Sequence, residues 1–248
     1  MESYHLNTKI LWKLSVPIYL VVKLTHYMIR LPQKMLQAKY KPDTVLEVGI
    51  DEAGRGCLWG PLVAGAVIWP AEETWTDEIR AVSEQIKDSK KLSAKKRAAI
   101  LKGIKSFALH SAVGIVEAKE IDDLGMSAAN RLAFQRALHG LSVKPGRILL
   151  DGLLRMDTEI EQIVEPEADG RYLAVAAASI LAKETHDELV MKACVEEPAL
   201  AVNYAIDSCK GYGTLKHRNG IKTHGKHPLH RNLFLRKLLG QGNCLIRD

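Results

Sequence analysis

Val45-Leu46-Glu47-Val48-Gly49-Ile50-Asp51-Glu52-Ala53-Gly54-Arg55-Gly56 decides how this chain is read. An apolar run ends in two adjacent carboxylates and then in a glycine-rich turn. At the edge of a buried element Asp51 and Glu52 repel each other and lose hydration, so something cationic must compensate them. A second apolar run closes the same way, Arg147-Ile148-Leu149-Leu150-Asp151-Gly152, and a further acid, Asp169, precedes the helix-like stretch Ala174 to Lys183. Acids that converge from separate elements are the usual oxygen ligands of Mg²⁺ or Mn²⁺. The chain reads as a metal-dependent enzyme acting on an anionic substrate. Two of its acids also have plainer readings, Asp169 as a helix cap and Asp187, four residues after Lys183, as a surface ion-pair partner.

Outward from this stretch the pattern alternates. Val45–Ile50 reads as a strand, 54–60 as a tight turn and Leu62–Ile68 as a second strand, so a hairpin-like pair opens the domain. Along the first strand Asp51 should face one side of a sheet and Glu52 the other, unless the glycines bend it. Ser93 is placed to cap a helix through Ala94 to Ile104. Phe107–Val116 reads as a strand, Ile121–Leu138 as a helix, Ile148–Leu150 as a short buried strand and Ala174–Cys194 as a long helix. Strands followed by alternating helices indicate an α/β domain.

Charge is distributed unevenly. Residues 1–44 carry 7 Lys/Arg against 2 Asp/Glu, residues 85–105 carry 8 against 1, and residues 205–248 carry 9 against 2, which leaves the remainder acidic at 11 against 24. Basic flanks around an acidic centre suit an enzyme that grips phosphates at its rim and cations in its middle. Residues 1–44 form a basic and apolar N-terminal extension, and 45–248 the catalytic domain with a basic C-terminal segment. In the extension, the uninterrupted apolar piece Leu14–Val22 is too short to span a bilayer, which takes ~20 residues. A loosely docked or disordered arm is the favoured reading and an interfacial helix with Trp12 and Tyr19 at a membrane the weaker one. Cys57, Cys194, Cys209 and Cys244 show no metal-binding spacing and read as free thiols of a reducing, cytoplasmic setting. His217, His224, His227 and His230 fit no zinc pattern and read mostly as surface groups.

Gly54-Arg55-Gly56 presents backbone N–H groups free of side chains, against which a sugar-phosphate can lie, and Tyr212 between Gly211 and Gly213 can stack on a base or sugar. DEAGRG at 51–56, DSKKLS at 88–93, LLDG at 149–152, AAASILAK at 176–183 and KGYGT at 210–214, in this order and at these intervals, resemble ribonuclease HII, the type 2 ribonuclease H family, over about residues 45–235. The resemblance implies a ribonuclease H-like fold, a central mixed β-sheet flanked by helices, with a C-terminal helical segment. It implies endonucleolytic cleavage of the RNA strand of RNA/DNA hybrids and of single ribonucleotides in duplex DNA. The reaction it implies is two-metal phosphodiester hydrolysis by a monomer using Mn²⁺ or Mg²⁺, leaving 3′-OH and 5′-phosphate ends. By the same resemblance Asp51, Glu52, Asp151 and Asp169 are metal ligands, with Asp187 where many members carry another acid. Gly54, Arg55 and Gly56 match the segment that senses the ribose 2′-OH, and Tyr212 the tyrosine that stacks at the RNA–DNA junction. Lys90, Lys91, Ser93 and Lys210, inside the matching motifs, join the nucleic-acid-binding set. The chain departs from the family pattern at Glu167-Ala168, where Lys-Gly is frequent, at Gly125 in place of an asparagine, and at Cys57 and Gly213 in place of prolines. Two rivals are a nucleic-acid-binding protein that kept the fold without catalysis and a membrane-tethered adaptor defined by residues 1–44.

Overall fold

Five strands form one sheet in the order β3-β2-β1-β4-β5, seen in a computed structural model that describes residues 35–236. β1 (Glu47–Ala53) pairs antiparallel with β2 (Leu62–Ile68), and β2 antiparallel with β3 (His110–Val116). On its other side β1 runs parallel to β4 (Arg147–Asp151), which runs parallel to β5 (Glu161–Glu165). The expected opening pair is present. The first strand starts two residues later than expected and runs through Asp51 and Glu52, so both acids are strand residues. β5 has no apolar alternation to announce it; it is a half-exposed edge strand, EQIVE.

Helices cover both faces. α1 (Asp77–Ser83), capped by Thr76, and α2 (Ala94–Phe107), whose first turn donates a hydrogen bond from Lys96 N to Ser93 Oγ, precede β3. The expected helix over 121–138 is two helices, α3 (Ala118–Leu124) and α4 (Met126–His139). Gly125, at φ 77°, breaks them apart, because a left-handed residue cannot continue a right-handed helix. α5 (Leu173–Glu196) is the long helix of the fold. The C-terminal segment is helical, with α6 (Ala199–Tyr204), α7 (Ile206–Cys209), α8 (Leu215–His224) and α9 (Asn232–Leu235).

Strand alternation sorts side chains between two cores. Val48, Ile50, Ile148 and Leu150 pack with Phe134 and Ala133 of α4 on one face. Val67 packs with Ala174, Ala177, Ala178 and α2 residues Ile100 and Ile104 on the other. α5 approaches the sheet so closely that a Cβ on Gly49 would lie 2.2 Å from the Ala174 backbone and one on Gly65 2.4 Å from Ala178 O. These two glycines and the alanines of α5 let the helix lie directly on the strands that carry the acids.

The compact unit begins at Leu36, upstream of Val45. Gln37 exchanges backbone hydrogen bonds with Arg171 and Leu173, Tyr40 packs edge-on against Tyr172, and Asp43 pairs with buried Arg147 at 2.8 Å. Arg147 also holds Glu47 at 2.6 Å and Glu161 at 2.9 Å, joining this lead-in to β1, β4 and β5. The arm and interfacial-helix readings of residues 1–34 lie outside the described residues. Among the described residues no helix is long and apolar enough to cross a membrane.

Candidate active site

Parallel pairing of β1 with β4 aligns Ile50 with Leu150, so the next residues, Asp51 and Asp151, are neighbours at the C-terminal ends of adjacent strands. Both point to the α5 face, since Val48, Ile50, Ile148 and Leu150 occupy the other. Asp51 lies beside Ser179 of α5, and Glu52 beside Asn130 of α4. The expected opposite facing of Asp51 and Glu52 is therefore what the strand does. Asp169 sits in a 3₁₀ turn, Ala168–Gly170, just ahead of α5. It does not cap α5, whose N-cap residue is Tyr172 with no side-chain capping bond. The same turn is tied to β4, because Ala168 N donates to Asp151 Oδ1 at 2.8 Å.

These carboxyls are electrostatically uncomfortable. Burial pushes the Asp51 carboxyl well above the usual carboxylate range, and the charges of Glu52 and Asp151 push it further. Burial raises Glu52 too, against the opposing pull of Arg55 and Asn130. Burial, then Asp151 and Asp88, raise Asp169. Asp169 Oδ2 is buried without any hydrogen-bond partner. Hard oxygen donors that repel one another and include an unpartnered buried oxygen fit a divalent cation. Among the described residues no three His, Cys, Asp or Glu side chains are drawn together tightly enough to enclose an ion.

Cationic groups ring the acids. A cleft beside Asp51 and Glu52 is walled by Lys90, Arg97, Lys183 and Tyr212. Burial works to lower the Lys90 ammonium, yet Asp169, Asp51, Asp88 and Asp151 raise it overall, so Lys90 stands in the field of the acidic group. Arg97, not singled out in the sequence, holds the DSKKLS segment in place, with Nη1 donating to Leu92 O at 2.9 Å and Nε to Glu184 at 2.7 Å. Lys183 Nζ lies over the Tyr212 ring, 5.4 Å from its centroid. Asp187 lies among cations in this structure. Its carboxylate, held below the usual range, takes Lys183 at 2.8 Å and His186 Nδ1 at 3.1 Å, with Arg97 at 3.8 Å. Lys91 pairs with Asp88 at 3.3 Å, Ser93 is a helix cap, and the Lys210 ammonium turns back to Asp207 O and the Met191 sulfur.

The glycine turn and the tyrosine come together. Cys57 bridges Tyr212 in antiparallel fashion, and Leu58 N donates to Gly211 O at 2.8 Å. The Tyr212 hydroxyl is pushed up to about 12, first by burial and then by the Cys57 thiol beside it, against a favourable Gly54 N–H. Arg55 is exposed and lies 3.5 Å from Glu52. Cys57, Cys194 and Cys209 are free and buried.

The reading of the late histidines as surface groups needs correction. His217 and His230 are fully buried, and only His224 of the four is well exposed. They sit under the Tyr212 loop, packed around Tyr204, whose ring centroid lies 5.0 Å from that of His230. His217 Nδ1 meets Tyr212 O at 2.9 Å and can only donate there, so its Nε2 accepts from His230 Nε2 at 2.9 Å; His230 Nδ1 in turn accepts from His227 N at 2.7 Å. Their spacing spreads over a helix and the loop after it, a pattern no helical or strand period reveals.

The ribonuclease HII family model matches residues 48–237. This chain belongs to the ribonuclease HII family. A ribonuclease HII of Bacteroides thetaiotaomicron is 40% identical over 204 residues, covering 82% of this chain and 95% of that protein. One from Trichodesmium erythraeum is 40% identical over 190 residues, covering 76% and 86%. Among solved structures, the ribonuclease H2 of Pyrococcus horikoshii superposes with a TM-score of 0.63 at 27% identity, covering 79% of this chain and 97% of that one. Bst-RNase HIII in complex with Mn²⁺ shares the fold at a TM-score of 0.59 and 20% identity, covering 84% and 74%. The chain is thus a ribonuclease H enzyme of a family that cleaves the RNA of RNA/DNA hybrids and depends on divalent metal.

Proposed function

We propose that this protein cleaves single ribonucleotides embedded in duplex DNA as well as RNA/DNA hybrids, by two-metal phosphodiester hydrolysis that leaves 3′-OH and 5′-phosphate ends. Asp51, Glu52, Asp151 and Asp169 hold Mg²⁺ or Mn²⁺. The observation that carries this reading is the group of acids at the ends of β1 and β4, with Asp169 Oδ2 buried and unpartnered, next to the exposed Arg55-Gly56 turn. Two divalent ions, when bound, lower the pKa of water for in-line attack and stabilise the leaving 3′ oxygen.

The chain's own residues supply the rest. Gly54, Arg55 and Gly56 lay main chain against the ribose and read its 2′-OH. Tyr212, 39% exposed and backed by Lys183, offers a ring face to the base or sugar at the junction. Lys90, and Lys91 beside it, meet the phosphates on the far wall, and no histidine is needed as a base because the carboxylates serve as ligands. Asp187 acts through Lys183 and His186. The protein works as a monomer on its duplex.

The test is cleavage of a DNA duplex carrying one ribonucleotide, with Mg²⁺ or Mn²⁺ and again with EDTA. The expected result is one cut at the ribonucleotide, with 3′-OH and 5′-phosphate ends, and none with EDTA. Cleavage with EDTA present, or a 2′,3′-cyclic phosphate end, contradicts the proposal.

A further inference from the structure

Arg231 lies in the C-terminal segment, outside every motif read above, and its side chain is fully buried. Among the described residues no carboxylate stands within ion-pair distance of it. Its guanidinium lies 6.0 Å from the centroid of the Phe234 ring, and its hydrogen bonds go to main-chain carbonyls. Nη1 donates to Gly54 O at 2.7 Å and Arg55 O at 3.1 Å, Nε to Gly60 O at 2.9 Å, and Nη2 to Pro61 O at 2.8 Å. Its own backbone N donates to Leu58 O at 2.8 Å, while Gly60 N donates to Leu229 O at 3.0 Å. A cation placed in a dry interior without a counter-ion is costly, and burial pulls Arg231 down to about 10, still charged at neutral pH. Four carbonyl dipoles offset that cost, since the planar guanidinium fork matches several acceptors at once.

The consequence concerns the other side of the same peptides. In a trans peptide the C=O and N–H point in opposite directions, and there are no cis bonds here. Fixing Gly54 O inward turns Arg55 N–H outward, and fixing Arg55 O inward turns Gly56 N–H outward. Cys57 N donates to Gly54 O at 3.2 Å, which closes the turn with Arg55 and Gly56 at its exposed tip. Among the described residues neither of those two N–H groups has a protein acceptor in the turn. Gly54 completes the clamp from below, because a Cβ there would lie 2.5 Å from the buried His186 ring.

We infer that Arg231 is a positioning residue for ribose recognition: by holding the Gly54 and Arg55 carbonyls it aims the Arg55 and Gly56 N–H groups at the substrate's 2′ oxygen. This rests on the proposed reading of the glycine turn as the 2′-OH sensor. It assigns a specificity role to a residue that touches no substrate. Lysine cannot replace it, since one ammonium with three donors cannot reach carbonyls spread over Gly54 to Pro61.

The experiment measures binding in EDTA by fluorescence anisotropy, using a DNA duplex with one ribonucleotide and the same duplex made wholly of DNA. Wild type, Arg231→Lys and Arg231→Met are compared, each checked for folding by circular dichroism and melting temperature. The expected result is a preference of wild type for the ribonucleotide duplex that falls about tenfold in both variants, the scale of losing two modest hydrogen bonds, with all-DNA affinity within about twofold. An unchanged preference in a folded variant, or a parallel loss of both affinities, overturns the inference and leaves Arg231 a packing residue. If neither variant folds, amide hydrogen exchange on wild type decides. Arg55 and Gly56 amides must become more protected with the ribonucleotide duplex than with all-DNA duplex, and equal protection overturns the inference. Failure of wild type to cut the ribonucleotide duplex with Mg²⁺ or Mn²⁺ is a separate outcome and counts against the proposed function.

Discussion

Gly54 and Gly56 lie two residues apart in one turn, yet their substitution by alanine should fail in different ways. Gly54 has φ 83°, and a Cβ there would stand 2.5 Å from His186 Cδ2 and 2.8 Å from Pro61 O. The left-handed backbone costs about 1–2 kcal/mol in a non-glycine residue, and forcing a methyl into packed surroundings adds about 1–3 kcal/mol. His186 cannot swing aside freely, because its Nδ1 is bonded to Asp187 and its Nε2 lies 3.8 Å from Cys57 Sγ. Gly54→Ala should therefore lose about 2–5 kcal/mol of stability, a fall of about 4–20 °C in melting temperature for a domain of this size. At Gly56 a Cβ meets nothing within 4 Å, so Gly56→Ala should melt within about 2 °C of wild type. If the turn reads the ribose as proposed, the added methyl crowds it, and cleavage at a single ribonucleotide should drop at least about tenfold, the worth of one or two hydrogen bonds kept out of reach. The assays are thermal unfolding and steady-state cleavage on the same samples. A Gly54→Ala protein that melts like wild type, or a Gly56→Ala protein with full activity, contradicts the roles given to these two glycines.

Tyr212→Ala should impair cleavage at a single ribonucleotide more than cleavage of a long hybrid, because the stacked junction exists once in the first and the hybrid offers many registers; equal losses would assign Tyr212 to packing. A truncation that begins at Val45 should be less stable than one that begins at Met35 by about 3 kcal/mol in urea unfolding, since it strips the Gln37, Tyr40 and Asp43 contacts, each hydrogen bond being worth about 1 kcal/mol. Indistinguishable midpoints would place the boundary at Val45 after all. Burial, then the charge of His217, lowers His230 from 6.5 to about 3. Below pH 6.5 the unfolded chain therefore takes up a proton that the folded one refuses, so stability is full above that pH and falls steadily toward pH 3. The melting temperature of wild type should decline more steeply from pH 7 to pH 4 than that of His230→Gln, and parallel curves would remove His230 from the account.

The acids were legible because they end apolar runs. Asp51 and Asp151 each follow a stretch that can only be a buried strand, and parallel pairing then puts them side by side. Helix caps at Ser93 and the long alanine-rich α5 were legible for equally local reasons. What escaped is what depends on distant partners. β5 is polar and exists because β4 offers it an edge, and Gly125 splits a helix by its backbone angle without disturbing the apolar period. Arg231 reads as one more basic residue of a basic tail, and its burial becomes evident only when the carbonyls of 54–61 surround it. His217 and His230 read as surface groups because two polar rings can be buried once each satisfies the other, a pairing that no spacing rule encodes. Asp187 forms the i,i+4 pair with Lys183 that its spacing offers, together with contacts to His186 and Arg97 that spacing does not show.

On the proposed function, the acids of β1 and β4 hold the metal as ligands while the basic rim holds the duplex. The most direct measurement is an RNA/DNA hybrid assayed for cleavage in Mg²⁺ or Mn²⁺ and for affinity in EDTA, with wild type, Asp51→Asn and Asp151→Asn. Expected are metal-dependent cleavage by wild type, a loss of at least about a thousandfold in each variant from removing a ligand charge, and hybrid affinity within about threefold. Turnover within about tenfold of wild type in either folded variant would contradict the ligand assignment.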